Sequence, residues 1–188
     1  MQIDQTAIPD VVIVTPTRFG DDRGWFSETW NADRLAAAGL ALTWVQDNHS
    51  MSAKVGTLRG LHFQAPPRAQ DKLVRCSQGV IFDVAVDIRV GSPTYGKWVG
   101  VELSAANRRQ LFIPKGFLHG FVTRTENTEV QYKCTDLYAP AQDGAVRWDD
   151  PDIGIDWGFS GNPALSAKDA VAPLLAEITS PFVWEPRP

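Results

Sequence analysis

The chain has 188 residues, of which 44% are hydrophobic and 21% charged, enough for one sizeable core and, by length, a single domain over residues 1–188. A net charge of -4 and a pI near 5.3 exclude a basic face for nucleic acid, so an anionic ligand must be met by a few placed cations, with Arg23, Arg59, Lys72 and Arg75 as candidates. No stretch approaches ~18 consecutive apolar residues and the start, Met1-Gln2-Ile3-Asp4-Gln5, lacks the basic and apolar segments of a signal peptide, so the expectation is a cytoplasmic protein with no membrane span.

Val11-Val12-Ile13-Val14 reads as a first strand, apolar enough to pair with a neighbour's sheet edge. Phe19-Gly20-Asp21-Asp22-Arg23-Gly24 reads as a turn-rich loop that delivers Trp25, Phe26 and Glu28, with Arg23 by default a solvated cation. One helix is expected, capped by Asn31, running from Ala32 to Ala38 and ended by Gly39. From there the pattern is almost wholly β. A strand starts in Trp44–His49, and others follow at Thr57–Phe63, Lys72–Cys76, Val80–Ile88, Trp98–Leu103, Gln110–Ile113, Leu118–Thr123 and Glu129–Asp136, separated by Gly, Pro, Asn or Ser turns. Strands at this spacing without intervening helices predict an all-β antiparallel sandwich or jelly roll with a few short helices. Both faces of Val80–Ile88 are mostly apolar, so that strand is covered on each side and Asp83 within it is buried with a partner. After Tyr138 the chain reads as irregular, apart from a short helix opening at Ser166, and ends in a Pro-rich tail at Pro188. Cys76 and Cys134 sit in β-like runs without C-x-x-C spacing and read as reduced core residues.

Four cationic or basic side chains, Arg59, His62, Lys72 and His119, fall in the central β run, where a core normally excludes them. Together with Tyr132 they point to one cavity. Imidazole titrates near ~6.5 in the reference state, which suits His62 to a general base near neutral pH. Strict alternation puts Arg59 and His62 on opposite faces of a strand, so a shared cavity requires a bulge or twist, and Gly60 is where the strand can bend. Tyr132 shares a face with Val130 and Cys134, the inner one, where its phenol can donate a proton or simply pack. Asp169 has two readings: three residues after Ser166 it has capping-box spacing, and it is also a carboxylate able to hold the His62 imidazolium. Lys168 beside it is by default a surface lysine.

Pro114-Lys115-Gly116-Phe117-Leu118-His119 resembles the second cupin motif, and Gly56 with His62 six residues on resembles the first. A metal-binding cupin shows a His-x-His pair followed by a Glu; here Gln64 replaces the second His, and two histidines fall short of the three or four donors zinc or iron needs. The site is therefore read as free of metal. Together with Gln46-Asp47-Asn48-His49-Ser50, Gly56 to Gln64, Lys72 to Cys76, Phe82 to Asp87 and Leu165 to Asp169, these motifs resemble, in order, the dTDP-4-dehydrorhamnose 3,5-epimerase family of the cupins. The resemblance runs from about Ile8 to Leu175.

That resemblance implies a homodimeric, cupin-like jelly roll with no cofactor, acting on a dTDP-4-keto-6-deoxysugar in dTDP-L-rhamnose formation. It also implies His62 as base, Tyr132 as acid, Lys72 beside the sugar C4 oxygen and Asp169 paired with His62. Arg23, Glu28, Gln46, Asn48, Arg59, His119 and Lys168 match positions that contact the dTDP-sugar, and Asp143 stands where the family often has Glu. Phe19, Phe26 or a tryptophan is left to stack on thymine. Lys115 and Leu118 depart from the more usual Glu and Ala. Tyr132 favours inversion at both C3 and C5, since a second inversion needs an acid on the far face; the alternative is a 3-epimerase or 5-epimerase of another deoxysugar pathway. A metal-dependent cupin and a non-catalytic sugar-binding cupin are the other classes weighed.

Overall fold

A computed structural model of the protein describes residues 1–159 and 161–186. In chain order it contains β1 (Gln2–Gln5), β2 (Val12–Thr15), β3 (Arg18–Asp21), β4 (Gly24–Ser27), helix α1 (Ala32–Ala37), β5 (Gln46–Ser52), β6 (Leu58–Gln64), β7 (Lys72–Gln78), β8 (Val80–Asp87), β9 (Trp98–Ser104), β10 (Gln110–Ile113), β11 (Phe117–Thr123), β12 (Thr128–Cys134), β13 (Asp143–Ala145) and helix α2 (Ala167–Ala170). Six strands form one sheet in the order β1-β2-β10-β7-β12-β5, five form a second in the order β13-β6-β11-β8-β9, and β3 with β4 is a separate hairpin. All of these pairings are antiparallel. This is the cupin-like jelly roll expected.

Alternation along the strands builds three apolar layers. Between the sheets lie Val74, Cys76, Ile81, Ala85, Phe117, Phe121 and Val130. The intervening Val84, Val86, Leu118 and Val122 face the other way, where Val146, Ile153, Trp157 and Phe182 of the C-terminal segment cover the five-stranded sheet. On the far side of the six-stranded sheet, Val12, Val14, Leu73 and Phe112 pack under Leu35 of α1. Strands such as β8 and β11 are apolar on both faces because both faces are covered. Asn31 caps α1, its side chain accepting from the Arg34 N–H at 3.0 Å.

Some elements differ from the expectation. The Phe19–Gly24 loop is mostly the β3–β4 hairpin, with Asp22 and Arg23 at its turn; the Gly and Asp residues mark the turn, and the flanking aromatics pair across it. The Val11–Val14 segment does not offer itself to a neighbour: β2 lies inside the sheet between β1 and β10, and Val11 and Val14 are fully buried, so the edge on this side of the sheet is the polar β1. The region after Tyr138, read as irregular, contributes β13, which pairs with β6. Neither β1 nor β13 has an alternating apolar pattern to reveal it. Of the Pro-rich tail, Arg187 and Pro188 lie outside the described residues.

Candidate active site

Between the two sheets, at the end where the edge strand β5 carries Gln46, Asn48 and Ser50 inward, the apolar packing gives way to a polar cavity. One lobe of about 440 Å³ is lined by Arg59, His62, Lys72, His119, Tyr132 and Asp169 among others. An adjoining lobe of about 320 Å³ shares His62, Lys72 and Tyr132 and adds Gln46, Asn48, Tyr138 and Asp143.

Arg59 and His62 reach the same cavity because β6 bulges. His119 pairs with His62 and Phe121 with Arg59, so two residues of β6, Gly60 and Leu61, stand opposite Gly120 alone. Leu58 and Leu61 thereby both face the C-terminal layer. Gly60 adopts φ 138°, and a Cβ there would lie 2.5 Å from the Gly120 Cα, so glycine is required for both conformation and approach. The bend expected at Gly60 is present.

His62 sits against Asp169, which is 3% exposed, with Nε2 2.6 Å from Oδ1. Burial would raise the Asp169 pKa, but hydrogen bonds from His62, Ser166 and the Gly60 backbone hold it below the usual carboxylate range. An ionised carboxylate only accepts, so Nε2 carries the hydrogen and the imidazole lone pair is on Nδ1. The Ser166 hydroxyl meanwhile accepts from the Asp169 N–H at 3.1 Å and caps α2. The cap and the His62 contact thus involve different atoms of one residue, the Asp169 N–H and its carboxylate. A bridge of Thr57 to Ala164 brings this segment over the cavity mouth.

His119 is 7% exposed, and its Nε2 lies 2.8 Å from Oδ1 of Asp83, which is fully buried. Burial lowers the His119 pKa, so the ring is neutral and donates its Nε2–H. The other Asp83 oxygen is buried without a hydrogen-bond partner among the described residues. Lys72 projects from the start of β7, half-buried, and no group among the described residues hydrogen-bonds its ammonium. Burial lowers its pKa, opposed by the fields of Cys134, Asp83 and Asp143. Asp71 beside it accepts from the Lys115 N–H at 3.0 Å and the Thr135 hydroxyl at 2.9 Å, tying the base of β7 to the strands on either side. Tyr132 lies on the inner face of β12, as its alternation indicated, and burial raises its pKa, which keeps the phenol protonated.

The remaining candidates divide. Arg59 lines the cavity and donates to the Ser52 hydroxyl and the Met51 carbonyl, each at 3.2 Å. Gln46 donates to the Asn48 side-chain oxygen at 3.0 Å, and its own oxygen accepts from the Tyr138 N–H at 2.8 Å. Lys168 and Asp143 form an ion pair at the rim. Arg23, Phe26 and Glu28, in contrast, are not in this cavity. Arg23 is 90% exposed and paired with Asp21, Phe26 is 69% exposed, and Glu28 pairs with Arg34 at 3.3 Å and Asn31 at 3.2 Å. The hairpin that carries Arg23 and Phe26 stands away from its own chain's site. Tyr138 was not singled out in the sequence, which gave no sign that the chain turns back here; Asp83 carried a signal as an acid in the middle of an apolar strand.

Gln64, where metal cupins place a second histidine, is buried and committed to the backbone, donating to the Arg68 and Leu137 carbonyls and accepting from the Ala139 N–H at 2.9 Å. Among the described residues no group of three or more His, Cys, Asp or Glu is placed to hold a metal ion. No helix among them is long and apolar enough to cross a membrane.

The sequence matches the family model described as dTDP-4-dehydrorhamnose 3,5-epimerase over residues 5–177. It is 57% identical to the dTDP-4-dehydrorhamnose 3,5-epimerase of Salmonella typhimurium, with 93% of this chain and 96% of that one covered. The crystal structure of a dTDP-6-deoxy-D-glucose-3,5-epimerase from Legionella pneumophila, in complex with dTDP-4-keto-L-rhamnose, superposes with a TM-score of 0.94 at 44% identity, covering 98% of this chain and 99% of that one. A dTDP-4-dehydrorhamnose 3-epimerase of Streptomyces niveus is 40% identical over 94% of this chain and 85% of its own length. By family model, sequence identity and fold alike, the chain is an isomerase and belongs to the dTDP-4-dehydrorhamnose 3,5-epimerase family.

Proposed function

We propose that the enzyme inverts C3 and C5 of dTDP-4-dehydro-6-deoxy-D-glucose to give dTDP-4-dehydro-L-rhamnose, a step towards dTDP-L-rhamnose. The observation that carries this reading is that His62 on β6 and Tyr132 on β12 line one cavity from facing sheets, with Lys72 on β7 lining it too. Carbons 3 and 5 both flank the C4 carbonyl, so loss of either proton yields an enolate whose charge collects on the C4 oxygen. Lys72 stabilises that charge; a preorganised donor of this kind is worth ~3 kcal/mol or more. His62, oriented by Asp169, takes the proton at one face of the sugar ring, and Tyr132 returns one at the opposite face, which inverts the centre; such groups contribute roughly 100- to 10,000-fold each. The chemistry needs no hydride transfer. Arg59 supplies a guanidinium fork for phosphate oxygens, while Gln46, Asn48, His119, Asp143 and Lys168 surround the sugar and its diphosphate.

The working unit in this reading is a homodimer. Arg23 and Glu28 match family positions that contact the dTDP-sugar, and Phe26 is a candidate to stack on thymine, yet all three lie outside their own chain's cavity. Phe19, Trp25 and Phe26 are 59%, 62% and 69% exposed, a cluster of aromatics that water does not favour. A two-fold partner would receive this hairpin at the mouth of its own cavity.

Proton NMR of dTDP-4-dehydro-6-deoxyglucose in D2O tests the assignment. Wild-type protein is expected to erase both the C3 and C5 proton signals, His62→Ala neither, and Tyr132→Phe to retain exchange while losing inversion. Loss of the C3 signal alone with wild type would place the enzyme with its Streptomyces niveus 3-epimerase relative and remove the double inversion.

A further inference from the structure

A second cavity, of about 230 Å³, is lined by Arg18, Arg75 and Arg108, by Trp25, and by no aspartate or glutamate. Arg75 alternates with Val74 and Cys76, which face the inter-sheet core, so its guanidinium lies on the other side of the six-stranded sheet from His62 and Lys72. In a chain of net charge -4, three arginines around one cavity without an acid is a concentration of unmatched charge. None of the three has an ion-pair partner among the described residues. Arg18 donates from Nη2 to the Ala105 carbonyl at 3.1 Å, but its Nε is buried with no hydrogen-bond partner among the described residues, and its guanidinium lies 4.0 Å from the centroid of the Trp25 ring. Arg75 is half-buried and, among the described residues, its side chain donates only to the neutral amide oxygen of Gln131; the field of Asp47, which lines the adjoining cavity and is itself paired with Lys133, also reaches it. Arg108 is held with φ 62°, in the left-handed region, its N–H donating to the Ser104 carbonyl at 2.9 Å.

Guanidinium groups gathered without a counter-charge repel one another and leave donors unfilled. An oxyanion among them removes the repulsion and fills the donors, and the planar fork of arginine matches phosphate oxygens. The Trp25 ring adds a flat aromatic wall. We propose that this cavity is a second anion site, separate from the catalytic one, taking a phosphate or diphosphate group either free or carried by a nucleotide.

The test follows the indole N–H resonance of Trp25, assigned with Trp25→Phe, in ¹⁵N-labelled full-length protein titrated separately with pyrophosphate and with AMP. Wild type and Arg59→Gln, which lacks a cation of the catalytic cavity, are expected to give the same saturable shift. Arg75→Gln and Arg108→Gln are each expected to weaken it at least about tenfold. Arg108→Gln is expected to turn over substrate at the wild-type rate, so if Arg75→Gln fails to fold, Arg108→Gln decides. Tighter binding of AMP than of pyrophosphate identifies a nucleotide as occupant, and the reverse a free anion. A shift that vanishes in Arg59→Gln but survives in both other variants, or the absence of a saturable shift with either probe, would overturn the proposal.

Discussion

Asp169 links a helix cap to the cavity in one residue. Its main-chain N–H is taken up by the Ser166 hydroxyl, while its buried carboxylate meets the His62 ring. Asp169→Asn keeps the first contact, and its amide oxygen can still accept from Nε2–H, but without the negative charge that favours a protonated imidazole. We predict that kcat falls roughly 100-fold or more with KM little changed, in line with the loss of an orienting carboxylate. Steady-state kinetics together with a thermal midpoint within a few degrees of wild type would bear this out. A large fall in the midpoint would instead assign Asp169 to folding. The sequence could pose this choice from the Ser166–Asp169 spacing but could not decide it, because the partner, His62, is 107 residues away.

At the scale of the element, β6 depends on its bulge. Without the extra residue opposite Gly120, Arg59 and His62 would face opposite sides, as period-2 alternation requires. Gly60→Ala would put a methyl group 2.5 Å from the Gly120 Cα, a backbone atom that cannot swing aside, at a φ unfavourable for alanine. Overpacking of this kind costs up to about 3 kcal/mol, which for a chain of this length lowers the melting temperature by roughly 10 °C. Because relief requires β6 to shift against β11, activity at 20 °C should fall beyond what the loss of folded protein explains. Circular dichroism melts paired with kinetics read both quantities, and unchanged activity would sink the link between the bulge and the site. Other elements were legible from pattern alone. The runs Lys72–Cys76, Val80–Ile88 and Gln110–Ile113 emerged within one or two residues of β7, β8 and β10, because two-sided burial enforces long apolar stretches. The short edge strands β1 and β13, polar and solvated, carry no such signature.

At the scale of the whole molecule, Arg23, which matches a family position that contacts the dTDP-sugar, and Phe26, a candidate to stack on thymine, are separated from their own chain's cavity. A two-fold assembly predicts complementation. A His62→Ala chain keeps an intact hairpin, and an Arg23→Ala/Phe26→Ala chain keeps an intact cavity, so a mixed dimer has one complete site. Refolding the two inactive variants together at equal concentration is expected to restore roughly a quarter of wild-type activity, since half of the dimers are mixed and each has one of two sites. Activity no higher than that of the separate variants would mean that the hairpin does not act across an interface.

Residue chemistry and short-range pattern were enough to indicate a β-sandwich, a shared cavity for Arg59, His62, Lys72, His119 and Tyr132, a buried Asp83 with a partner, and a helix start at Ser166. Each follows from local rules: alternation, turn chemistry, and the cost of placing a polar group in a core. Only the tertiary structure decided that Asp83 meets His119, that Asp169 meets His62, that Gln64 is spent on holding the 137–139 loop, and that Arg23, Phe26 and Glu28 leave their own cavity. These are contacts between segments far apart in the chain, and hydrogen bonds at long sequence separation leave no periodic trace in the order of residues.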